Sequence, residues 1–302
     1  MVQLEDDRNL DYSGDPDLLK ARTNRRVRSR WMPTWTTDVI AGPPRIAVDH
    51  IGAGPLVVFL HGIGGNRTNW HDQLPEFGRH FHAVAWDARG YGDSDDYDGA
   101  LDFGDFAIDL ARVIGHFGAT RAHLVGLSMG GVIAMDFAAR YPDRAATLTL
   151  CDTMPGFGHL TEAQRREFIR LRQEPLLAGK EPRDIAPVVA RTLLGKSPRA
   201  GCFERLVASM TALHKGSYIK TITGSVNYSR SLQIESIAVP VLVVVGGEDT
   251  LTPPATSREL ARRIPGARMT VIEGAGHLSN IEQPEAFNRA VLGFLMEHRE
   301  RE

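Results

Sequence analysis

The sequence predicts an α/β fold, a mostly parallel central sheet flanked by helices and carrying a helical lid insertion. From residue 45 onward, short apolar runs bounded by turn residues alternate with amphipathic stretches, the pattern of a sheet covered by helices. That strand text stops between Asp152 and Ile237 and resumes at Pro240. At 302 residues the chain can bury roughly 75% of the surface its unfolded state exposes, so its stability needs neither metal nor disulfide.

Residues 1–43 hold few large apolar side chains and gather Arg22, Arg25, Arg26, Arg28 and Arg30. They read as an N-terminal extension, a solvated tail rather than a subunit contact or an anion-binding arm. The opening MVQLEDDRNLDYSGD is acidic from its fifth residue and lacks the apolar core of a secretory signal, so the expected address is cytoplasmic. The strand candidates follow as RIAVDHI, PLVVFL, HAVAWD, AHLVGL, ATLTLCD, PVLVVVGGED and RMTVIEG. Residues Phe103 to Phe117, Met129 to Tyr141, Thr256 to Arg263 and Glu285 to His298 read as helices. The core thus comprises 44–152 and 237–302. Between them, 153–236 reads as short helices broken by Gly and Pro, laid over the sheet as a lid. Phe157, Leu160, Phe168, Leu193, Leu194 and Tyr218 suggest an apolar roof, although simple helix packing would use the same residues.

With 42% hydrophobic and 24% charged residues and a formal net charge of −2, the chain gives no electrostatic reason to expect nucleic acid or an anionic membrane. The expected partner is a small-molecule substrate, and a homo-oligomer is left open. The longest apolar run, Val239 to Val245 interrupted by Pro240, falls far short of the roughly 20 residues that cross a bilayer. Cys151 and Cys202 are too few for a disulfide framework and lack zinc-ligand spacing, so both read as buried thiols.

The stretch AHLVGLSMGGVIAMDFAARYPD carries the chemistry. An apolar run ends at Leu127, Ser128 follows within Gly126-Leu127-Ser128-Met129-Gly130, and a helical pattern begins at once. A serine on such a tight strand-to-helix turn projects its hydroxyl outward, and Gly126 and Gly130 let the neighbouring backbones close up. The new helix also aims the Met129 N–H toward charge developing at the reaction centre. The simpler alternative is a serine that merely caps a helix.

A serine needs a base to remove its proton, and the base needs an orienting carboxylate. Both occur downstream in order: Asp249 in the loop after PVLVVVGGED, and His277 just past the following strand, 28 residues later. Glu248 and Asp152 are competing acids, ranked below Asp249 because the latter follows the strand that precedes His277's. For the other histidines, surface or helix-packed positions are expected. A second oxyanion donor is read in FLHGIGGNRTNW, where the glycine-rich turn after Leu60 presents the Ile63 N–H. That loop lacks the spacing and lysine of a phosphate-binding loop.

Taken together, HGIGGNRTNW, WDARGYGDSD, GLSMGG, GGEDTLTPP and GAGHLSNIEQPEAF resemble the α/β-hydrolase superfamily over residues 45 to 299. GLSMGG and the GAGH segment look most like 3-oxoadipate enol-lactonases and related small-molecule esterases. The resemblance implies the α/β-hydrolase fold, a Ser128, His277, Asp249 triad, oxyanion N–H groups from Ile63 and Met129, and no cofactor or metal. It departs from the enol-lactonase pattern in its basic N-terminal extension. The loop after His61 also differs from the glycine-proline version of carbon–carbon bond hydrolases, and Ser128 stands where dehalogenases and epoxide hydrolases of this fold carry an Asp. The expected reaction is cleavage of an ester, lactone or enol-lactone bond in a small, catabolic substrate through an acyl-enzyme. The alternatives are a carbon–carbon hydrolase or small-molecule amidase using the same residues, and a non-catalytic receptor of the same fold. An acid group on the substrate would meet an arginine or polar residue of the lid. Arg191 and Trp70 are candidates for contacting substrate, and sequence alone places neither.

Overall fold

The computed structural model describes residues 34–156, 160–228 and 233–300. The basic cluster from Arg22 to Arg30, and Phe157 in the expected lid, lie outside these residues.

Eight strands form one sheet: β1 (Thr36–Ile40), β2 (Ile46–Ile51), β3 (Leu56–Leu60), β4 (His82–Trp86), β5 (Ala122–Leu127), β6 (Ala145–Cys151), β7 (Val241–Gly246) and β8 (Arg268–Ile272). Their order is β1-β2-β4-β3-β5-β6-β7-β8. β1 and β2 pair antiparallel, as do β2 and β4, and every later pairing is parallel. The central strands β3, β5, β6 and β7 are buried along their whole length, which is why they read as unbroken apolar runs rather than alternating ones.

β1 falls inside the segment read as an extension outside the core. Its sequence, TTDVI, exposes most of its residues at the sheet edge, and pairing of Thr36 to Ile40 with His50 to Ile46 holds it there. An edge strand with one buried side chain carries almost no hydrophobic signal.

The helices are α1 (Leu74–Phe77), α2 (Asp105–His116), α3 (Met129–Arg140), α4 (Glu162–Arg172), α5 (Glu174–Leu177), α6 (Pro182–Leu193), α7 (Cys202–Thr211), α8 (Lys215–Asn227), α9 (Pro254–Arg263), α10 (Ser279–Glu282) and α11 (Pro284–Glu297). Helices α4 to α8 fill the strand-free interval between β6 and β7. Two apolar clusters cover the sheet. In one, Val58, Leu124, Leu148 and Val243 meet Phe106, Val132 and Phe137. In the other, Phe59, Val125 and Val244 meet Trp70, Phe77, Phe287 and Phe294. Alternate residues of one strand go to opposite clusters, as the two-residue period of a strand requires. No described helix is long and apolar enough to cross a membrane.

Candidate active site

The C-terminal ends of β3, β5, β7 and β8 converge on one edge of the sheet, and four loops leave it there. β5 ends at Leu127, and Ser128 takes φ 53° and ψ −115° before α3 begins. A non-glycine residue in this region is strained by about 1–3 kcal/mol and persists only where its surroundings over-determine it. Here the Ser128 N–H donates to the Cys151 carbonyl at 2.9 Å. The Ser128 carbonyl in turn accepts from the Gly131 N–H at 2.9 Å and from Thr153 Oγ1 at 2.6 Å. The flanking glycines are required by contact: a Cβ on Gly130 would lie 2.1 Å from the Leu60 carbonyl oxygen, and one on Gly126 would lie 2.3 Å from that of Gly130.

His277 follows β8 on a buried loop. Its N–H donates to the Leu193 carbonyl at the end of α6, 2.7 Å away, so the inserted helices help to fix it. Its Nδ1 lies 2.8 Å from Asp249 Oδ2. Asp249, beyond β7, is itself held: Oδ1 accepts from the N–H groups of Leu251 (2.8 Å) and Thr252 (3.0 Å), and Oδ2 from Thr252 Oγ1 at 2.6 Å. Burial opposes ionisation of Asp249, but the His277 charge and these donors outweigh it and bring its pKa down to about 2. For His277 burial likewise opposes the charged form, and Asp249 prevails, raising its pKa. With Nδ1 turned to the carboxylate, Nε2 is the ring nitrogen left for proton transfer.

The competing acids are placed elsewhere. Asp152, at φ 46° beyond β6, accepts from the Gly246 N–H at 2.7 Å and from Ser279 Oγ at 2.5 Å. Burial first, and then the neighbouring Asp249 charge, push its pKa up to about 8. Glu248 turns to the insert and accepts from the Lys196 N–H at 2.5 Å.

Ile63, Ser128 and His277 line a single cavity of about 50 Å³. Met129 opens α3, where a first-turn N–H has no intrahelical acceptor. Among the described residues, the Ile63 N–H donates to no backbone carbonyl. The loop that carries Ile63 is fixed by a residue the sequence did not single out. The Ala88 N–H donates to His61 Nε2 at 3.0 Å, so the proton sits on Nδ1 and is donated to the Gly62 carbonyl at 2.9 Å. Burial keeps that ring neutral, with its pKa lowered to about 4.

Of the expected roof residues, Leu160, Phe168 and Leu193 line the cavity, whereas Leu194 and Tyr218 pack into the apolar clusters. Arg191 stacks on Phe203 with its guanidinium carbon 5.1 Å from the ring centroid, and Trp70 is buried against Phe59; neither lines the cavity. Thr252, Asn69 and Arg172 also line it and were not anticipated. Arg172 stands in a run with Arg165, Arg166 and Arg170, and composition alone does not separate the inward-facing member from the solvated ones.

A family model described as alpha/beta hydrolase fold matches residues 55–284, and the chain belongs to that family as a hydrolase of the α/β fold. Among its relatives, 3-oxoadipate enol-lactonase 2 of Acinetobacter baylyi is 26% identical over 239 residues, covering 78% of this chain and 87% of that protein. BpoC of Mycobacterium tuberculosis, a non-heme bromoperoxidase by name, is 31% identical over 258 residues, covering 82% of this chain and 97% of the relative. A malate-bound structure of a thermophilic esterase from Thermogutta terrifontis superposes with a TM-score of 0.78 at 28% identity, covering 88% of this chain and all of that one.

Proposed function

We propose that this hydrolase is a serine esterase or lactonase that cleaves an ester, lactone or enol-lactone bond in a small organic substrate, with Ser128 as nucleophile, His277 as base and Asp249 as orienting acid. The observation that carries the reading is the buried Asp249–His277 pair at 2.8 Å, with its ring and the strained Ser128 on the wall of one cavity. The relatives' names range from esterase and enol-lactonase to bromoperoxidase, so the residues carry more of the argument than the names.

In this mechanism Ser128 Oγ attacks the carbonyl carbon as its proton passes to His277 Nε2, and Asp249 stabilises the imidazolium without taking a proton. The N–H groups of Ile63 and Met129 receive the oxyanion; loss of one such donor costs about 100-fold or more in rate. Collapse expels the alkoxide, which takes the proton back from His277. Water, deprotonated by the same nitrogen, then releases the acyl group and frees Ser128. In a lactone the expelled alkoxide stays tethered to the acyl chain. The chemistry draws on no cofactor. Residues 153–236 act as the lid in this reading, since Leu160, Phe168, Leu193, Leu206 and Met210 supply the apolar wall opposite the sheet edge.

The test is turnover of 4-nitrophenyl acetate and butyrate, with stopped-flow detection of an acylation burst and labelling by a fluorophosphonate. Ser128→Ala should keep the wild-type melting temperature within a few degrees, abolish labelling and lower kcat by about 10⁶. Absence of turnover, burst and labelling in the wild type would favour a receptor, and full activity in Ser128→Ala would overturn the mechanism.

A further inference from the structure

Three arginines among the described residues are nine-tenths or more buried or close to it, and they differ in what surrounds them. Arg67 is ion-paired to Asp49, Asp87 and Asp93, and Arg89 to Asp105 and Asp109; in both cases the carboxylates overcome burial and raise the pKa. Arg172 is 5% exposed, yet its guanidinium makes no hydrogen bond or ion pair with any described residue. Its guanidinium carbon sits 4.3 Å from the centroid of Phe168, and burial lowers its pKa. The adjacent carboxylate Glu167 is exposed and bound to Arg170 at 2.7 Å, and its charge offsets only part of the cost of burying Arg172. A planar guanidinium stripped of water and touching no carboxylate among the described residues is a costly arrangement in a finished core, and it fits a site whose counter-ion arrives from outside.

The location says what arrives. Arg172 lines the same cavity as Ser128 and His277, and its positive charge is felt by His277, opposing protonation of that ring. A second cavity of about 340 Å³ shares Leu160, Phe168, Arg172 and Leu251 with the first, which places Arg172 on the wall common to both. On the inner cavity, Asn69 holds its Oδ1 with the Asn66 N–H at 2.9 Å, while its buried Nδ2 has no partner. Two polar groups of the cavity wall therefore offer donors, and the rest of the wall is largely apolar.

We propose that the substrate carries a carboxylate besides its scissile ester or lactone bond, and that Arg172 binds it, entering by way of the outer cavity, with Asn69 Nδ2 as an auxiliary donor. The proposal rests on the serine-hydrolase reading of the same cavity. The carboxylate restores to Arg172 the counter-ion that Arg67 and Arg89 find within the fold, and a guanidinium can meet it with two parallel N–H donors. Phe168 holds the guanidinium by a cation–π contact, which uses none of its N–H donors.

The experiment compares 4-nitrophenyl hemiglutarate with its methyl ester, which has the same reach and no charge, in wild type, Arg172→Met and Arg172→Lys. The wild type should favour the free acid by at least about tenfold in kcat/KM. Arg172→Met should lose about 100-fold more on the free acid than on the methyl ester, bringing the ratio of their kcat/KM values toward one, since breaking one buried charge-assisted pair has an effect of that size. Arg172→Lys should recover part of the loss. Equal losses on both substrates, or a wild-type preference for the methyl ester, would overturn the proposal and leave the hydrolase reading intact. Glutarate binding by calorimetry to Ser128→Ala, with and without Arg172→Met, separates the two further. Arg172-dependent binding with no turnover of any ester supports the carboxylate site and sinks the hydrolase reading, whereas undiminished binding in the double variant overturns the site.

Discussion

Asp152 and Asp249 are two carboxylates within reach of one another's charge that end in opposite protonation states. Asp249 is kept ionised by His277 and Thr252, and Asp152 is driven toward its neutral form by burial and by Asp249. Two substitutions with the same atoms should therefore have very different consequences. Asp249→Asn removes the acceptor that fixes the His277 tautomer, and kcat should fall by about 10⁴. Asp152→Asn replaces a group already largely protonated at pH 7, with an amide able to accept from Gly246 and donate to Ser279, so kcat at pH 7 should stay within about threefold of wild type. Stability supplies an independent check. A carboxyl with its folded pKa raised to about 8 gives stability that is full below the unfolded value near 4 and is lost as pH rises through 8. Asp152→Asn lacks that dependence, so urea melts should show the variant gaining on wild type between pH 5 and about pH 8 and levelling off above it. A constant difference across that range would mean Asp152 is ionised throughout.

At the scale of elements, the strand-turn-helix unit around Ser128 depends on how closely β3, β5 and α3 approach. Gly130→Ala drives a methyl group into the Leu60 carbonyl, so α3 must shift from β3 and carry the Met129 N–H with it. We expect a loss of about 1–3 kcal/mol in stability, as in overpacked cores, together with a fall in kcat that exceeds any change in KM. Calorimetry and ester kinetics on the same sample decide it. β5 also carries His123, buried, with Nδ1 2.9 Å from Thr147 Oγ1 and its pKa lowered to about 4, chiefly by burial. The unfolded chain takes up this proton near pH 6.5 and the native chain only near 4, so stability falls as pH drops through that window. His123→Gln should be destabilising at pH 7 and progressively less so toward pH 4.5, read from urea midpoints. This strand also shows what sequence could reveal. AHLVGL followed by Ser128 is legible because a fully buried parallel strand and a glycine-framed turn both leave strong local signatures, and Asp249 and His277 follow from strand order. β1 was not legible, because an edge strand buries too little. Arg172 and Asn69 were not, because their significance lies in a guanidinium and an Nδ2 without hydrogen-bond partners among the described residues, which no local pattern records. His61 lay in plain sight beside Gly62, yet its anchoring bond reaches Ala88, 27 residues away.

For the whole molecule, the relation between the inserted helices and the sheet edge matters most. The cavity of about 50 Å³ holds little more than a few water molecules, so a substrate with a carboxylate and an ester requires the insert to yield. Besides the contacts of Leu193, Lys196 and His214 with the core, α7 carries polar ties of its own across that boundary. Arg205 meets Asp72 at 2.5 Å and the Thr68 carbonyl at 2.5 Å, Arg199 meets Asp72 at 3.1 Å, and Ser209 Oγ donates to the Gly64 carbonyl at 3.1 Å. Asp72 is thus the shared anchor of two arginines, and all three side chains are partly exposed, so each pair contributes less than about 1 kcal/mol. Asp72→Asn should leave global unfolding within about 1 kcal/mol of wild type while loosening α7 locally. Hydrogen exchange should then rise across 202–211 with β5 and β6 unchanged, and the same region should become protected again when Ser128 carries a bulky phosphonate that fills the cavity. High salt should mimic the substitution in wild type and do little to the variant, because screening acts on the same exposed pairs. If exchange in α7 stays fixed in Asp72→Asn while the active site still admits the phosphonate at the wild-type rate, α7 is not the part of the insert that opens, and access runs instead past α4 and Arg172.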